Sequence, residues 1–404
     1  MQAINHDIAI IGGGLAGLLL AAELCDTQFS ALSIVVIEPR EEYKRDKTWS
    51  YWRTQPHKYS ALETATWQRW RLTHNKKSVQ NWLRVNQDKI NLDNTKKAES
   101  YCYASIPSDA FYKTILEKIK ACRHIKIMQG EMVESLRTEA SSAIITLKSR
   151  INIEIKQAIF DSRPPINDHG INKNKYKKAQ LNQHFFGVEL LSDDELFDES
   201  CIDLMDFQPS NQGIHFMYVL PFTKSHALVE STWINKRLQH DDYTIELNNY
   251  LNKRWPNAQF KIAYTEKGSL PLKNMTSCEY RLGNVQVIAI GTAAGLMRAA
   301  TGYAFLETLA DSQRLANLIA TNKQLIAFKR CKIERVMDFL FLSFLSKNNA
   351  IGPHYFMQMF GHCSPPSLIR FLSGGANWRD RLNVILSVPS VPMLKHLMLL
   401  RFIR

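Results

Sequence analysis

Hydrophobic and polar positions change period along this chain, and the changes mark its elements. Ile8-Ala-Ile-Ile11 is a short apolar run, glycines follow it, residues 18–24 are apolar over a helical length, and Ser33-Ile-Val-Val-Ile37 is a second run ending at Glu38. Strand, tight turn, helix and strand in that order predict a βαβ unit. Ser108-Asp-Ala-Phe-Tyr112 opens a helical pattern with apolar Phe111, Ile115, Leu116 and Ile119, and strand-like runs follow at 125–128 and 143–147. From His184 to Glu230 the segments are short and alternating, as in His215-Phe-Met-Tyr-Val-Leu220, and predict a β-sheet lobe. The opening pattern then returns: Asn284-Val-Gln-Val-Ile-Ala-Ile290 as a strand, a small-residue turn at 291–295, and a helix at 305–319. Beyond residue 321 the pattern is mostly helical and rich in Leu, Phe, Met and Arg.

A cofactor domain assembled from discontinuous segments follows from this order, here 1–55, 100–160 and 280–320. A β-sheet substrate lobe takes 56–99 and 161–279, and a helical C-terminal region takes 321–404. The stretch from Arg40 to about Asn94 carries Trp49, Trp52, Trp67, Trp70 and Trp82 with weak periodicity and is assigned to a lobe over the cofactor. Residues 163–182 lack periodicity and read as a solvated loop.

A length of 404 residues suits two domains, and 45% hydrophobic residues allow a sizeable core. The net charge of +13 favours anionic partners: nucleic acid, phosphate-bearing cofactors or acidic lipid. Lys173-Asn-Lys-Tyr-Lys-Lys178 has one aromatic residue and no nucleic-acid fold signature around it, so no nucleic-acid partner is expected. Seven scattered cysteines without C-x-x-C spacing read as buried thiols of a reducing compartment, and no metal site is expected. The apolar run at 8–22 is broken by glycines, and the others fall short of the roughly 20 residues that cross a bilayer. No membrane span is expected.

The chemistry begins at Gly12-Gly-Gly14-Leu-Ala-Gly17, which fits G-x-G-x-x-G between a strand and a helix, with an acid at Glu38. Gly12 permits the tight turn, Gly14 lets the backbone approach a pyrophosphate, and Gly17 lets the helix pack on the strand. The diphosphate then sits at the helix N-terminus, and Glu38 accepts hydrogen bonds from the adenosine ribose. A motif this near the N-terminus, with a second cofactor-like segment near residue 290, favours FAD over NAD. Glu230 is a lone carboxylate in the apolar run Ala227-Leu-Val-Glu-Ser-Thr-Trp233, on one face with Leu228 and Thr232. Two readings stand for it: a solvent-facing strand position, or a buried acid of raised pKa able to donate a proton.

Several segments together resemble the bacterial lycopene cyclases. In order they are residues 7–24, Lys47-Thr-Trp-Ser-Tyr-Trp52, Gln183-His-Phe-Phe-Gly-Val-Glu189, Leu204-Met-Asp-Phe207, Val219-Leu-Pro-Phe222 with Leu228-Val-Glu-Ser-Thr232, Glu266-Lys-Gly-Ser-Leu-Pro271, and Gly291-Thr-Ala-Ala-Gly-Leu-Met-Arg-Ala-Ala-Thr-Gly-Tyr303. Asn377-Trp-Arg-Asp-Arg381 and Val388-Pro-Ser-Val-Pro-Met393 extend the likeness into the tail. The resemblance implies an α/β chain with a Rossmann-type, flavoprotein-hydroxylase-like FAD-binding domain. It implies conversion of lycopene through a one-ring intermediate to β-carotene, with reduced FAD, no net redox, and NADPH as reductant. Glu230 takes the place of the essential acid, Asp206 supplies a further acid in the Met-Asp motif, and the turn with Gly291, Gly295, Thr301 and Gly302 contacts the flavin. In that turn Arg298-Ala299 stands where His-Pro or Lys-Pro is common in the family. Trp49, Trp52 and Tyr303 are candidates to face a carbocation. The expected setting is cytoplasmic, at the inner face of a membrane, with 392–404 as a basic, apolar interfacial helix or else an ordinary core helix. The alternative function is an FAD-dependent monooxygenase or prenyl-chain reductase with the same N-terminal fingerprint.

Overall fold

A computed structural model describes residues 3–82, 101–163, 181–237 and 239–389. The basic stretch at 173–178 and the tail at 392–404 lie outside the described residues.

Three sheets organise the chain. The first is built on parallel strands in the spatial order Val285–Ala289, Asn152–Asp161, Ile4–Ile11, Ile34–Glu38 and Ile125–Gln129. Glu279–Leu282 extends one edge antiparallel, and the hairpin Val133–Glu139 and Ser142–Leu147 adds to Asn152–Asp161. Parallel strands are covered on both faces, which is why Ile34-Val-Val-Ile37 is an unbroken apolar run and wholly buried. The first helix, Leu15–Glu23, packs against helices Ser108–Lys120 and Phe305–Ala320 as well as the sheet. It is apolar almost all round for that reason.

The second sheet has seven strands, in the order Lys261–Leu272, Leu181–Leu191, His226–Asn235, Ile214–Thr223, Cys201–Gln208, Arg69–His74 and Lys77–Trp82. Its pairing is antiparallel except between Cys201–Gln208 and Arg69–His74. One face packs Met217, Val219 and Val229 against Leu247 and Tyr250 of the helix Tyr243–Arg254. The other face, with Phe216, Leu228 and Ile234, meets the C-terminal helices through Phe344, Phe356 and Phe360. Those helices are Lys332–Lys347, Gly352–His362, Pro365–Leu372 and Trp378–Ser387. The last starts with a capping box: the Asn377 side chain accepts from the Asp380 backbone N–H at 3.0 Å, and Asp380 accepts from the Asn377 N–H at 3.1 Å.

The tryptophan-rich stretch is more regular than its weak periodicity suggests. Thr48–Arg53 and Ala65–Trp67 pair with Cys102–Pro107 in a third, three-stranded sheet, while Arg69–His74 joins the second sheet. Strands this short show too few alternations to register as a period. The cysteines correct one expectation: Cys331 is exposed and Cys25, Cys122 and Cys278 are half-buried, so only three of the seven are buried thiols. Among the described residues no helix is long and apolar enough to cross a membrane.

Candidate functional site

Each glycine of the first turn does something different. Gly12 has φ +92°, a conformation that favours glycine, and its N–H donates to the Ile37 carbonyl at 2.8 Å, tying the turn to the next strand. A β-carbon at Gly17 would collide with the Gly12 carbonyl oxygen and press on Ile10, so the helix packs directly on the strand. A β-carbon at Gly14 would meet nothing within 4 Å. Gly14 is the N-cap of the first helix, with no side-chain cap and no acid in the first turn, which leaves N–H groups available to an anion. Glu38 is buried at the end of its strand and accepts from the Gly13 N–H at 2.5 Å and from Arg40 Nε at 2.7 Å. Arg40 Nη2 and the Tyr43 hydroxyl in turn donate to the Gly13 carbonyl at 2.9 and 3.0 Å.

The late turn comes to rest against this one. Gly291, Gly295 and Gly302 have φ of +63°, +80° and +74°. A β-carbon at Gly291 would lie 2.8 Å from Ala16 Cβ of the first helix, so the two turns touch. Gly302 N–H donates to the Arg298 carbonyl and Arg298 N–H to the Tyr303 carbonyl, both at 2.8 Å, closing a compact loop that carries Thr301. The Arg298 side chain is 2% exposed. Its guanidinium contacts Asp338 Oδ1 at 3.2 and 3.3 Å, donates to the Phe371 carbonyl and lies over the Phe371 ring. Arg298 thus fastens the turn to the C-terminal helices.

A cavity of about 430 Å³ runs from both turns to the second sheet, with Gly14, Gly291 and Gly302 at one end and Glu230 in its wall. On the sheet, Glu230 and Glu266 stand opposite Gly187 from its two neighbouring strands. Residues in register on adjacent strands share a face, so both carboxyls enter the cavity, and the glycine puts no side chain of its own between them. Glu230 is 7% and Glu266 6% exposed. Burial, and secondarily the charge of Glu266, pushes the Glu230 carboxyl up to about 8, against the pull of a hydrogen bond from Thr232. Burial lifts Glu266 to about 7, while Thr48, donating at 3.0 Å, and the Arg45 cation hold it down. Beside Glu230 the hydroxyls of Tyr218 and Tyr303 both donate to Tyr103 Oη, at 2.8 and 3.4 Å. A second cavity of about 370 Å³ adjoins, sharing Gln183, Leu204, Met205, Thr301 and Tyr303, and is lined by apolar side chains of the C-terminal helices.

Glu230 therefore does not face solvent. Asp206 is not brought to it. A register shift between Asp203 and Asp206 turns Leu204 and Met205 to the cavity, while Asp206 lies under the helix Tyr243–Arg254. There it accepts from the Tyr250 hydroxyl at 2.9 Å and lies 3.6 Å from Arg254. Trp49 and Tyr303 line the cavity. Trp52 is in the core, edge-on to Trp70 and Tyr103 with ring centroids 4.9 and 4.8 Å away. Sequence reasoning noticed the Glu266 motif without giving that carboxylate a role. The available signal was Gly187, a glycine inside a strand, which marks a close approach from its neighbours.

Comparison with known proteins gives the family. Residues 7–398 match the family described as lycopene cyclase protein. A lycopene beta-cyclase of Pseudescherichia vulneris is 22% identical, over 96% of this chain and 95% of its own. The chloroplastic lycopene beta cyclase of Nicotiana tabacum is 23% identical over 78% of this chain, and the match spans 60% of the plant protein. In fold the chain is similar to a geranylgeranyl bacteriochlorophyll reductase-like protein of Thermoplasma acidophilum, with TM-score 0.60, 12% identity, and coverage of 98% and 99% of the two chains. A mutant of the halogenase PltM, solved in complex with FAD, aligns with TM-score 0.53 at 13% identity, over 90% of this chain and 78% of its own. The architecture is the mixed α/β fold of FAD-dependent flavoproteins, and the chain belongs to the lycopene cyclase protein family.

Proposed function

We propose that this chain is a lycopene β-cyclase, an isomerase that closes the ψ-ends of lycopene into β-rings by acid catalysis in the presence of reduced FAD, with no net redox. The observation that carries the reading is Glu230, a buried carboxyl whose raised pKa keeps it protonated near neutral pH, in a cavity whose other end has the features of a dinucleotide site.

The residues fit FAD. Gly14 leaves open space where a pyrophosphate has to approach, the uncapped helix start presents N–H groups to it, and in this reading Glu38, now paired with the Gly13 N–H and Arg40, takes the ribose. Gly291, Thr301 and Gly302 form the second wall, while Gly295, with φ +80°, backs on to Met275 behind the turn. When bound, the reduced flavin supplies an electron-rich surface to a cation. NADPH is the reductant in this reading. The chain's own part is acid–base and steric: Glu230 delivers a proton to the terminal double bond, and Trp49 and Tyr303 offer ring faces to the tertiary cation. The apolar second cavity accommodates polyene and limits water near the cation.

A C40 hydrocarbon has to be collected from a bilayer, and we place this enzyme peripherally on the cytoplasmic face of a membrane. The supporting observation is a strip of exposed apolar side chains, Trp378 (66%), Leu386 (73%), Ile333 and Val336 among them, on two helices that also line the second cavity. Lys332 and Arg379 add exposed cations beside it. The function is tested by anaerobic incubation of the flavin-loaded protein with lycopene vesicles and reductant, followed by chromatography. A product of unchanged mass carrying β-rings is expected, and an unchanged substrate overturns the reading.

A further inference from the structure

We propose that Glu266 is the base of the ring closure and shares one proton with Glu230 across Gly187, an assignment that rests on the cyclase reading above. The geometry starts from the sheet. Neighbouring strands lie roughly 4.8 Å apart, so two glutamates separated by one strand would normally be divided by that strand's side chain. Here the divider is Gly187. The position a β-carbon would take there is 3.2 Å from Glu266 Cγ, 3.3 Å from Leu228 Cδ1 and 3.5 Å from Glu230 Cβ, so a side chain at this position would press on both glutamates. Both carboxyls line the one cavity.

Their surroundings are unequal. On the cavity side the titratable groups around Glu230 are Tyr218 on the adjacent strand, Tyr103, Tyr303 and Glu266, while Tyr243 acts from the opposite face of the sheet. None of these is a cation; Lys47, which also lines the cavity, pairs with Asp46 at 3.3 Å. Glu266 is faced by Arg45, Glu189, Tyr264 and Glu230, and it accepts the Thr48 hydroxyl at 3.0 Å. Arg45 also pairs with Glu189, which His226 contacts at 2.8 Å. Each carboxyl accepts one hydroxyl, Glu230 that of Thr232 and Glu266 that of Thr48, but the Arg45 cation stands on the Glu266 side alone, so in a pair that holds one proton Glu266 is the carboxylate and Glu230 the acid. Two carboxyls buried in one cavity, one raised by the charge of the other, do not both ionise readily, and such a pair divides into acid and base.

Ring closure then balances within the pair. The Glu230 O–H bond breaks as a C–H bond forms at C2 of the ψ-end, leaving the cation at C1. The internal double bond attacks, the C1–C6 bond forms, and the charge moves to C5. The C6–H bond breaks towards the Glu266 carboxylate, and its electrons complete the ring double bond. One proton has entered carbon and one has left it. Between turnovers Glu266 gives up its proton and Glu230 takes one up by exchange with solvent water, which resets the site.

The test is the pH–rate profile of the flavin-loaded protein with lycopene vesicles, read beside an infrared titration of the protonated-carboxyl band without lycopene. The wild type is expected to lose rate as pH falls, when Glu266 gains its proton, and again as pH rises, when Glu230 loses its own. Glu266→Gln is expected to retain flavin, lose roughly a hundredfold or more in rate, lack the acid limb, and show the alkaline limb at lower pH because a like charge is gone. Glu266→Asp restores part of the rate and the acid limb. Thr48→Val, which keeps both carboxyls, moves the acid limb to higher pH, and it carries the test if Glu266→Gln fails to fold. Native rate and a native two-limbed profile in Glu266→Gln, or in its absence an unmoved acid limb in Thr48→Val, overturn the assignment. Infrared titrations of the two carboxyls that do not respond to one another overturn it as well. A wild type that never closes a ring removes the cyclase reading instead, and the infrared result still judges the pair.

Discussion

Glu230 is held in the native state at a cost that rises with pH. Its ordinary value is 4.5, and burial followed by the Glu266 charge lifts it to about 8. Between those values the unfolded chain has released the proton and the native chain keeps it, so native stability falls as pH rises through that window. Glutamine has no proton to lose. Glu230→Gln is therefore expected to melt with the wild type near pH 4.5 and above it at pH 8, by on the order of a few kcal/mol at most. Scanning calorimetry at both pH values checks this, and equal melting at pH 8 contradicts the burial of an acid there. The same variant should retain flavin and lose about two to four orders of magnitude in cyclisation rate. Gly14 supplies a complementary test. A side chain at this position meets open space in the protein, so Gly14→Val is expected to fold normally and yet emerge colourless, because the valine occupies room the pyrophosphate needs. Full yellow flavin retention by Gly14→Val contradicts the proposed site.

Among the elements, the helix Trp378–Ser387 carries the most exposed apolar surface, with Trp378, Leu382, Ile385 and Leu386 all outward. Ile385 also lines the apolar cavity, so the strip borders its mouth. The double variant Trp378→Ser, Leu386→Ser is expected to keep flavin and fold, since both side chains are exposed. It should sediment several-fold less with anionic vesicles and turn over vesicle-borne lycopene more slowly. Unchanged sedimentation moves the docking surface elsewhere. The elements also show what the sequence made legible. The first βαβ unit and the turn at Gly291 were readable because their determinants are local: glycines, apolar runs and an acid within a short span. Glu230 could be singled out as one charge in an apolar strand, but its burial could not, because alternation does not say which face is covered. Its companion was hidden further. Glu266 meets Glu230 through two non-local strand pairings with Leu181–Leu191 in between, and only register places Gly187 opposite both. Asp206 entered through the resemblance alone, and a register shift in its strand, which no local pattern announces, puts it under the helix Tyr243–Arg254 and away from Glu230. Arg298 stood out as a departure from the family pattern, and its packing on Phe371 and Asp338 appears only once the C-terminal helices are in place.

At the scale of the whole molecule, two sheets and a helical cap converge on connected cavities, one joining the glycine turns to the carboxyls and one opening among apolar helices. The architecture is shared with reductases and halogenases, so the fold leaves the reaction open and the site has to decide it. The central claim is that protons move on to and off carbon while no hydrogen, oxygen or halogen is added. Mass spectrometry of the product formed anaerobically in D2O from lycopene tests this most directly. One deuterium is expected for each ring formed, with no change in mass when the same reaction is run in H2O and no consumption of reductant in proportion to product. A product heavier by two hydrogens in H2O, or a ring formed in D2O without deuterium, contradicts it.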